Sequence, residues 1–172
     1  QAIFAFDGSV YRRFDFACYK KKDFENLQKS VRILSGLYGV LKPLDLIQPY
    51  RLEMGTKLQN KKGKDLYAFW KETVTESLNR EKENTLINLA STEYFSVIDF
   101  DKLNMEVITP IFKDYNKGKY KVIGFSAKKT RGLYANWLVT ESPKDLTSFT
   151  GRGYKYSKKD SRQRSWNITT KT

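Results

Sequence analysis

SGLYGVLKPLDLIQPYRLEM, residues 35–54, is the stretch on which the fold turns. Two glycines, two prolines and many aliphatics alternate here without a sustained helical or strand period. Surface loops are polar and mostly short, so a segment this long and apolar cannot lie in solvent. The reading is short turns of helix packed on a core, with Pro43 and Pro49 fixing the bends. Upstream, residues 31–34 are apolar apart from Arg32 and read as a strand that runs straight into Ser35-Gly36. Further back, Asp23 reads as the N-cap of a helix over residues 24–30. Residues 3–6 and 9–11 read as extended segments around a turn at Asp7-Gly8.

Downstream, Leu66, Phe69, Trp70, Val74 and Leu78 recur at helical spacing, which predicts a helix over 65–80 with Asp65 as its cap. Residues 85–90 read as a strand, after which Ser91 caps a short helix with Glu93 in its first turn. Residues 105–112 and 120–125 are β-rich, and Asn116-Lys117-Gly118-Lys119 between them reads as a hairpin loop. A helix follows over 129–140, and residues 153–170 suggest a last basic hairpin. Helices and strands are mixed, so the fold class is α/β (mixed α+β). No internal repeat or long linker divides the chain, and residues 1–172 read as one domain.

Composition narrows the chemistry. The chain of 172 residues carries 32 basic and 19 acidic side chains, a net charge of +13, with no histidine and one cysteine, Cys18. Lacking histidine, it has no Ser-His-Asp triad, no Cys-His dyad and no histidine-containing zinc site. One cysteine excludes an internal disulfide, a four-cysteine zinc site and a self-ligated iron–sulfur cluster. Carboxylates alone could still hold a metal, but no spacing indicates it, and neither a cofactor nor a metal site is expected. No stretch approaches the ~18 apolar residues of a membrane span. The chain begins at Gln1, not Met, which reads as the start of a fragment, and scarce cysteine fits a reducing compartment.

The charge is uneven. Residues 1–112 hold 17 basic and 15 acidic side chains, whereas residues 113–172 hold 15 and 4. Such asymmetry suits an anionic partner, and equally a solvated basic face. Four constellations bear on this. Ser35 to Gly39, with two glycines after a strand, offers backbone N–H groups to a phosphate or forms a plain tight turn, and it resembles a helix-hairpin-helix turn. Arg51 and Glu53, two apart, share a face if extended and make an ion pair or line a pocket. Lys57, Lys61, Lys62 and Lys64 follow as a basic loop.

The third constellation is Lys128, Lys129 and Arg131 at the start of the helix expected over 129–140. Basic side chains there oppose the helix dipole, so an anion or an internal carboxylate such as Glu93 or Asp99 is expected to compensate. The fourth is the tail, where Arg152, Lys155, Lys158, Lys159, Arg162 and Arg164 interleave with Tyr154, Tyr156 and Trp166. It suits a phosphate backbone with exposed bases, or a hairpin whose lysines guard its edge. General acid–base work would fall to Glu53, Glu93, Tyr38 or Tyr94. Neighbouring lysines favour a reactive Cys18, although a buried inert thiol is the plainer reading.

ILSGLYGVLKPLDLIQPYRLEMGTKL, residues 33–58, is very similar to the signature of the bacterial YaaA peroxide-stress protein family. FDGSVY at 6–11, GKDLY at 63–67 with Phe69-Trp70, NLAS at 88–91 with Glu93-Tyr94, and Ala127-Lys128-Lys129 with Arg131-Gly132 follow in the family's order. The resemblance implies a cytosolic protein of the response to hydrogen peroxide that limits damage from free iron. It also implies a family-specific α/β fold, a helix-hairpin-helix-like element (placed here at 35–42) and affinity for double-stranded DNA. Family members carry a further N-terminal segment before the Phe-Asp-Gly region.

Two functions follow as expectations. The first is a non-catalytic, monomeric DNA-binding protein that contacts phosphates through Lys42, Arg51, Lys57, Lys128, Lys129 and Arg131. In it Ser35, Gly36 and Gly39 allow close backbone approach. The second is an enzyme for a small anionic substrate, in a pocket lined by Arg51, Glu53, Ser91, Glu93, Tyr94, Lys128 and Arg131. There Glu53, Glu93 or Tyr94 would be the acid–base group. Iron sequestration is disfavoured, because histidine is absent and thiolate scarce.

Overall fold

The computed structural model describes residues 1–158, 161 and 165–170. In chain order these form α1 (Ala2–Ala5), α2 (Lys21–Ser30), β1 (Ile33–Ser35), β2 (Gly39–Leu41), α3 (Leu66–Asn79), β3 (Thr85–Ile87) and α4 (Thr92–Phe95). β4 (Glu106–Asn116), β5 (Lys119–Lys121), α5 (Gly124–Glu141), β6 (Tyr154–Tyr156) and β7 (Ser165–Thr170) complete the mixed α/β set. They fall into two units: residues 1–5 with 31–107, and residues 6–30 with 108–172.

In the first unit the opening of the quoted stretch is a β-hairpin and not a series of helical turns. β1 and β2 pair antiparallel, with Ile33 opposite Leu41 and Ser35 opposite Gly39. The cause is tertiary. Gly39 adopts φ +74°, and a Cβ there would lie 2.8 Å from the Trp70 ring. Trp70 Nε1 donates to the Gly36 carbonyl at 2.8 Å. Gly36 in turn leaves room for the Leu52 carbonyl. Residues 35–42, expected as a helix-hairpin-helix-like element, therefore contain no helix.

The loop beyond β2 explains a second departure. The Pro43 and Asp45 carbonyls accept the N–H groups of Ile3 and Ala2, which a helix start leaves without intrahelical partners. That loop lets residues 2–5 coil into α1 where extended chain was expected. α3 matches its periodicity. Asp65 caps it by accepting the Ala68 N–H at 2.9 Å. Leu66, Val74 and Leu78 are buried with Met54, Val97 and Ile98 as one core, against which Trp70 and Tyr94 pack. Thr75 is buried too, donating to the Lys71 carbonyl and accepting the Asp99 N–H at 2.9 Å. Arg32 grips Glu81 with both arms at 2.8 and 2.7 Å. The strand expected over 85–90 stops at Ile87, where Asn88 Oδ1 turns back to the Ala90 N–H.

In the second unit β5 pairs antiparallel with β4 through the expected hairpin, with Lys117 and Gly118 at φ 49° and 82° as a type I′ turn requires. β7 lies parallel to β4, with Ile111 opposite Asn167 and Lys113 opposite Thr169, and β6 lies antiparallel to β7. The tail thus supplies two strands. Its Lys159, Arg162 and Arg164 lie outside the described residues. A parallel pair needs a long crossover, and α5 is part of it. α5 packs through Tyr134, whose ring lies 5.7 Å from Phe112 and 5.1 Å from Phe149.

α5 begins at Gly124, over a turn earlier than expected. Strand β5 consequently ends at Lys121, and Phe125 is helical. No side chain caps this start, so no capping residue marks it in the sequence. Gly132 is buried where the turn Tyr11–Arg13 crosses the helix, with Arg13 Cβ 2.8 Å from where its own Cβ would stand. α2 also starts early. Asp23 is its third residue and accepts the Lys20 N–H at 2.8 Å, closing the helix start from inside it. Tyr19 and Asn26 tie α2 to α5 through Asn136 and the Val139 carbonyl. Among the described residues no helix is long and apolar enough to cross a membrane.

Gly39→Ala should cost about 2–4 kcal/mol in urea unfolding, combining left-handed strain with a clash against Trp70. Gly118→Ala, at φ +82° with nothing within 4 Å of its would-be Cβ, should cost only about 1–2 kcal/mol. Equal costs would remove Trp70 as the reason for the glycine. Asp65→Ala should cost about 1 kcal/mol as a lost cap.

Candidate functional site

In the first unit, several expected site residues gather beside the β1–β2 hairpin. Ser35 is fully buried, and its Oγ accepts the N–H groups of Leu37 at 3.2 Å and Tyr38 at 2.9 Å. It lies 2.6 Å from the Tyr50 hydroxyl. Both Ser35 lone pairs are used by those amides, so Ser35 is the donor of this short bond. The turn amides that an anion would need are thereby occupied. Gly36 and Gly39 are buried against Leu52 and Trp70, which corrects their reading as points of close approach for a phosphate.

Arg51 and Glu53 do share a side, forming an exposed ion pair at 3.3 Å. Glu93 Oε1 accepts the Gly55 N–H at 3.0 Å, and the Tyr67 hydroxyl donates to the Glu93 carbonyl at 2.8 Å. Tyr94 is half-buried. Burial pushes its pKa up, and the nearby Glu93, Tyr50 and Glu53 add to the shift. Tyr50 and Tyr67 are pushed the same way, each chiefly by burial. The cluster is therefore one of neutral phenols beside two carboxylates, able to donate hydrogen bonds at neutral pH.

Tyr50 was not singled out from the sequence. Its partner Ser35 is 15 residues away, and only the hairpin brings the two together. Ser91 precedes α4 but makes no side-chain cap. Lys42 and Lys57 are exposed, and Lys62 lies 5.3 Å over the Phe69 ring.

In the second unit Lys128, Lys129 and Arg131 sit in the second turn of α5 and beyond, not at its N-terminus. The helix-dipole conflict expected of them does not arise. Lys128 is exposed, and Lys129 Nζ stands 4.0 Å over the Phe125 ring, a cation–π contact. Arg131 is half-buried, and burial pushes its pKa down, though an arginine keeps its charge. The two carboxylates suspected of compensating them are engaged elsewhere, Glu93 by Gly55 and Asp99 by Lys71 at 3.3 Å. Cys18 is exposed and not buried, and Asp15 pushes its thiol pKa up, so the neighbouring lysines do not activate it. Among the described residues no group of three or more cysteines and carboxylates is placed to hold a metal ion.

The two units differ sharply in charge. The first has 11 basic and 11 acidic residues, whereas the second has 21 and 8 and so carries the entire net +13. The basic residues at 12, 13, 20, 21, 22 and 29 join those after 112 in this unit, which the division of the sequence at residue 112 had hidden.

The family profile described as peroxide stress protein YaaA matches residues 1–160. The chain belongs to the YaaA family. It is 51% identical over 163 residues to the UPF0246 protein IL2146 of Idiomarina loihiensis, covering 91% of this chain and 63% of that protein. To a UPF0246 protein of Polynucleobacter necessarius it is 54% identical over 162 residues, covering 90% and 63%. To one of Janthinobacterium it is 50% identical over 173 residues, covering 96% and 67%. The chain thus spans about two thirds of the length of these YaaA-family relatives. The family is described as one of peroxide stress proteins.

The raised phenol pKa values have a consequence at alkaline pH. A group whose folded pKa exceeds its unfolded value stabilises fully below the unfolded pKa of about 10, and loses that contribution as pH climbs toward the folded value. Stability should therefore fall above pH ~10, and Tyr94→Phe should lessen the fall. A 295 nm titration in which native and unfolded chains ionise together would contradict this.

Proposed function

We propose that the chain is a DNA-binding part of a cytoplasmic peroxide-stress protein, contacting duplex phosphates without reading sequence. On this reading it limits iron-mediated damage by occupying the DNA, since histidine is absent and the only thiol is held protonated by Asp15. One observation carries the proposal. All of the net charge lies in one unit, whose lysines on α5 have no carboxylate partner among the described residues. A unit with 21 cations against 8 carboxylates gains by exchanging its counterions for a polyanion. Lys128, Lys129 and Arg131, all in that unit, are the central contacts. Arg51 and Lys57 belong to the neutral unit and are not among these contacts, and Arg51 already pairs with Glu53.

A second reading rests on the phenol–carboxylate cluster. Tyr94, whose pKa is raised first by burial and then by Glu93, Tyr50 and Glu53, would serve as general acid in an enzyme for a small anionic substrate, with Arg51 of the same unit as the anion ligand. It predicts that Tyr94→Phe abolishes protection against peroxide while duplex affinity is unchanged.

For the leading reading, duplex affinity should be salt-sensitive. Changing Lys128 and Arg131 together to Ala should reduce the slope of log K against log salt by about 0.9 for each phosphate no longer neutralised. An unchanged slope would take both residues out of the interface.

A further inference from the structure

The β4–β5 hairpin has an exposed aromatic pair that neither the core nor the phosphate contacts of α5 explain. Tyr115 and Tyr120 are directly opposite in the register, and their rings meet edge to face at 5.3 Å. They are 44% and 38% exposed. Among the described residues of this unit, the exposed large apolar side chains are these two with Val122 and Phe125, all within residues 115–125.

Strand alternation puts the pair on one face and Asp114 on the other. That other face is occupied. Asp114 accepts the buried Tyr154 hydroxyl at 2.6 Å, and Tyr154 packs on Phe112. Lys113 shares the tyrosine face, two residues before Tyr115. Lys117 is at the tip of the turn, whereas Lys119 and Lys121, opposite Asn116 and Asp114 in the register, lie on the other face. Neither Lys113 nor Lys117 has an ion-pair partner among the described residues.

An apolar partner on the tyrosine face would have to desolvate the unpaired ammonium groups of Lys113 and Lys117, a cost that nothing on this face offsets. The charge selects an anion, and the paired rings select one with flat apolar faces. We infer that the β4–β5 hairpin is a docking finger for unpaired nucleobases of a single-stranded nucleic acid. Bases stack on Tyr115 and Tyr120 while Lys113 and Lys117 hold the flanking phosphates. The inference rests on the DNA-binding reading and adds to it a second class of substrate with its own residues. Stacking tolerates any base, so the finger has little sequence preference and favours strands already open.

The test compares an oligo-dT of about 20 nucleotides with a duplex of equal length by anisotropy, using this chain. The chain should bind both. Changing Tyr115 and Tyr120 together to Leu should weaken oligo-dT binding at least about tenfold and leave duplex affinity within about twofold, as expected when stacking is removed. Changing both to Phe, which keeps the rings, should preserve oligo-dT binding. Lys117→Glu at the exposed tip, which leaves the sheet untouched, should weaken it as well. The inference is overturned if the Leu pair leaves oligo-dT affinity unchanged or weakens both DNAs equally. Duplex binding without oligo-dT binding would overturn it while sparing the DNA-binding reading, and binding to neither would sink that reading too. Loss of self-association in the Leu pair, with oligo-dT affinity unchanged, would assign the finger to a second copy of the chain and overturn the inference.

Discussion

The second unit is organised around Phe112. Its ring meets Tyr134 of α5 and Tyr154 of β6 at 5.7 Å each, and Phe149 at 6.3 Å. Trp137 closes the cluster on Tyr134 and Phe149. A unit with 21 cations and 8 carboxylates repels itself and cannot neutralise its charge internally. Cohesion must come from apolar burial, and edge-to-face rings add about 0.5–1.5 kcal/mol per pair beyond their area. Because aromatic contacts carry the packing, the lysines are released from structural ion pairs. Most of the ion pairs described, among them Arg32–Glu81 and Lys71–Asp99, stabilise the neutral first unit.

What was legible in the sequence was what local chemistry decides. The helix over 66–79 follows from apolar spacing and the Asp65 cap, and the β4–β5 turn from Asn-Lys-Gly. What was not legible depends on distant partners. The hairpin at 33–41 exists because Trp70 fills the space over Gly39, and nothing near Gly39 announces that ring. α1 forms because a loop 40 residues away offers two carbonyls. The start of α5 carries a glycine and an exposed Phe, with no capping side chain, so it reads as the end of a strand. Moving that start to Gly124 changes the chemistry of Lys128 and Arg131. They are side chains on a helix flank, Lys128 exposed and Arg131 half-buried, and not ligands at a dipole.

The candidate site was legible in part for the same reason. Glu53, Glu93 and Tyr94 are recognisable as acid–base types, and the fold brings Tyr50 to Ser35 and close enough to Tyr94 to raise its pKa. The glycines nearby misled, since a glycine required by packing looks identical in sequence to one required by a ligand. Gly36 and Gly39 serve Leu52 and Trp70. The charge then becomes the more informative feature, because it segregates by unit and not simply by position along the chain.

The central claim is that the cationic unit, and not the neutral one, meets DNA. Amine-reactive footprinting of every lysine, with and without a short duplex, addresses it directly. Protection should be strongest at Lys128 and Lys129, with Lys71 and Lys102 of the neutral unit labelled as in the free chain. Protection confined to the lysines of residues 31–107 would contradict the account.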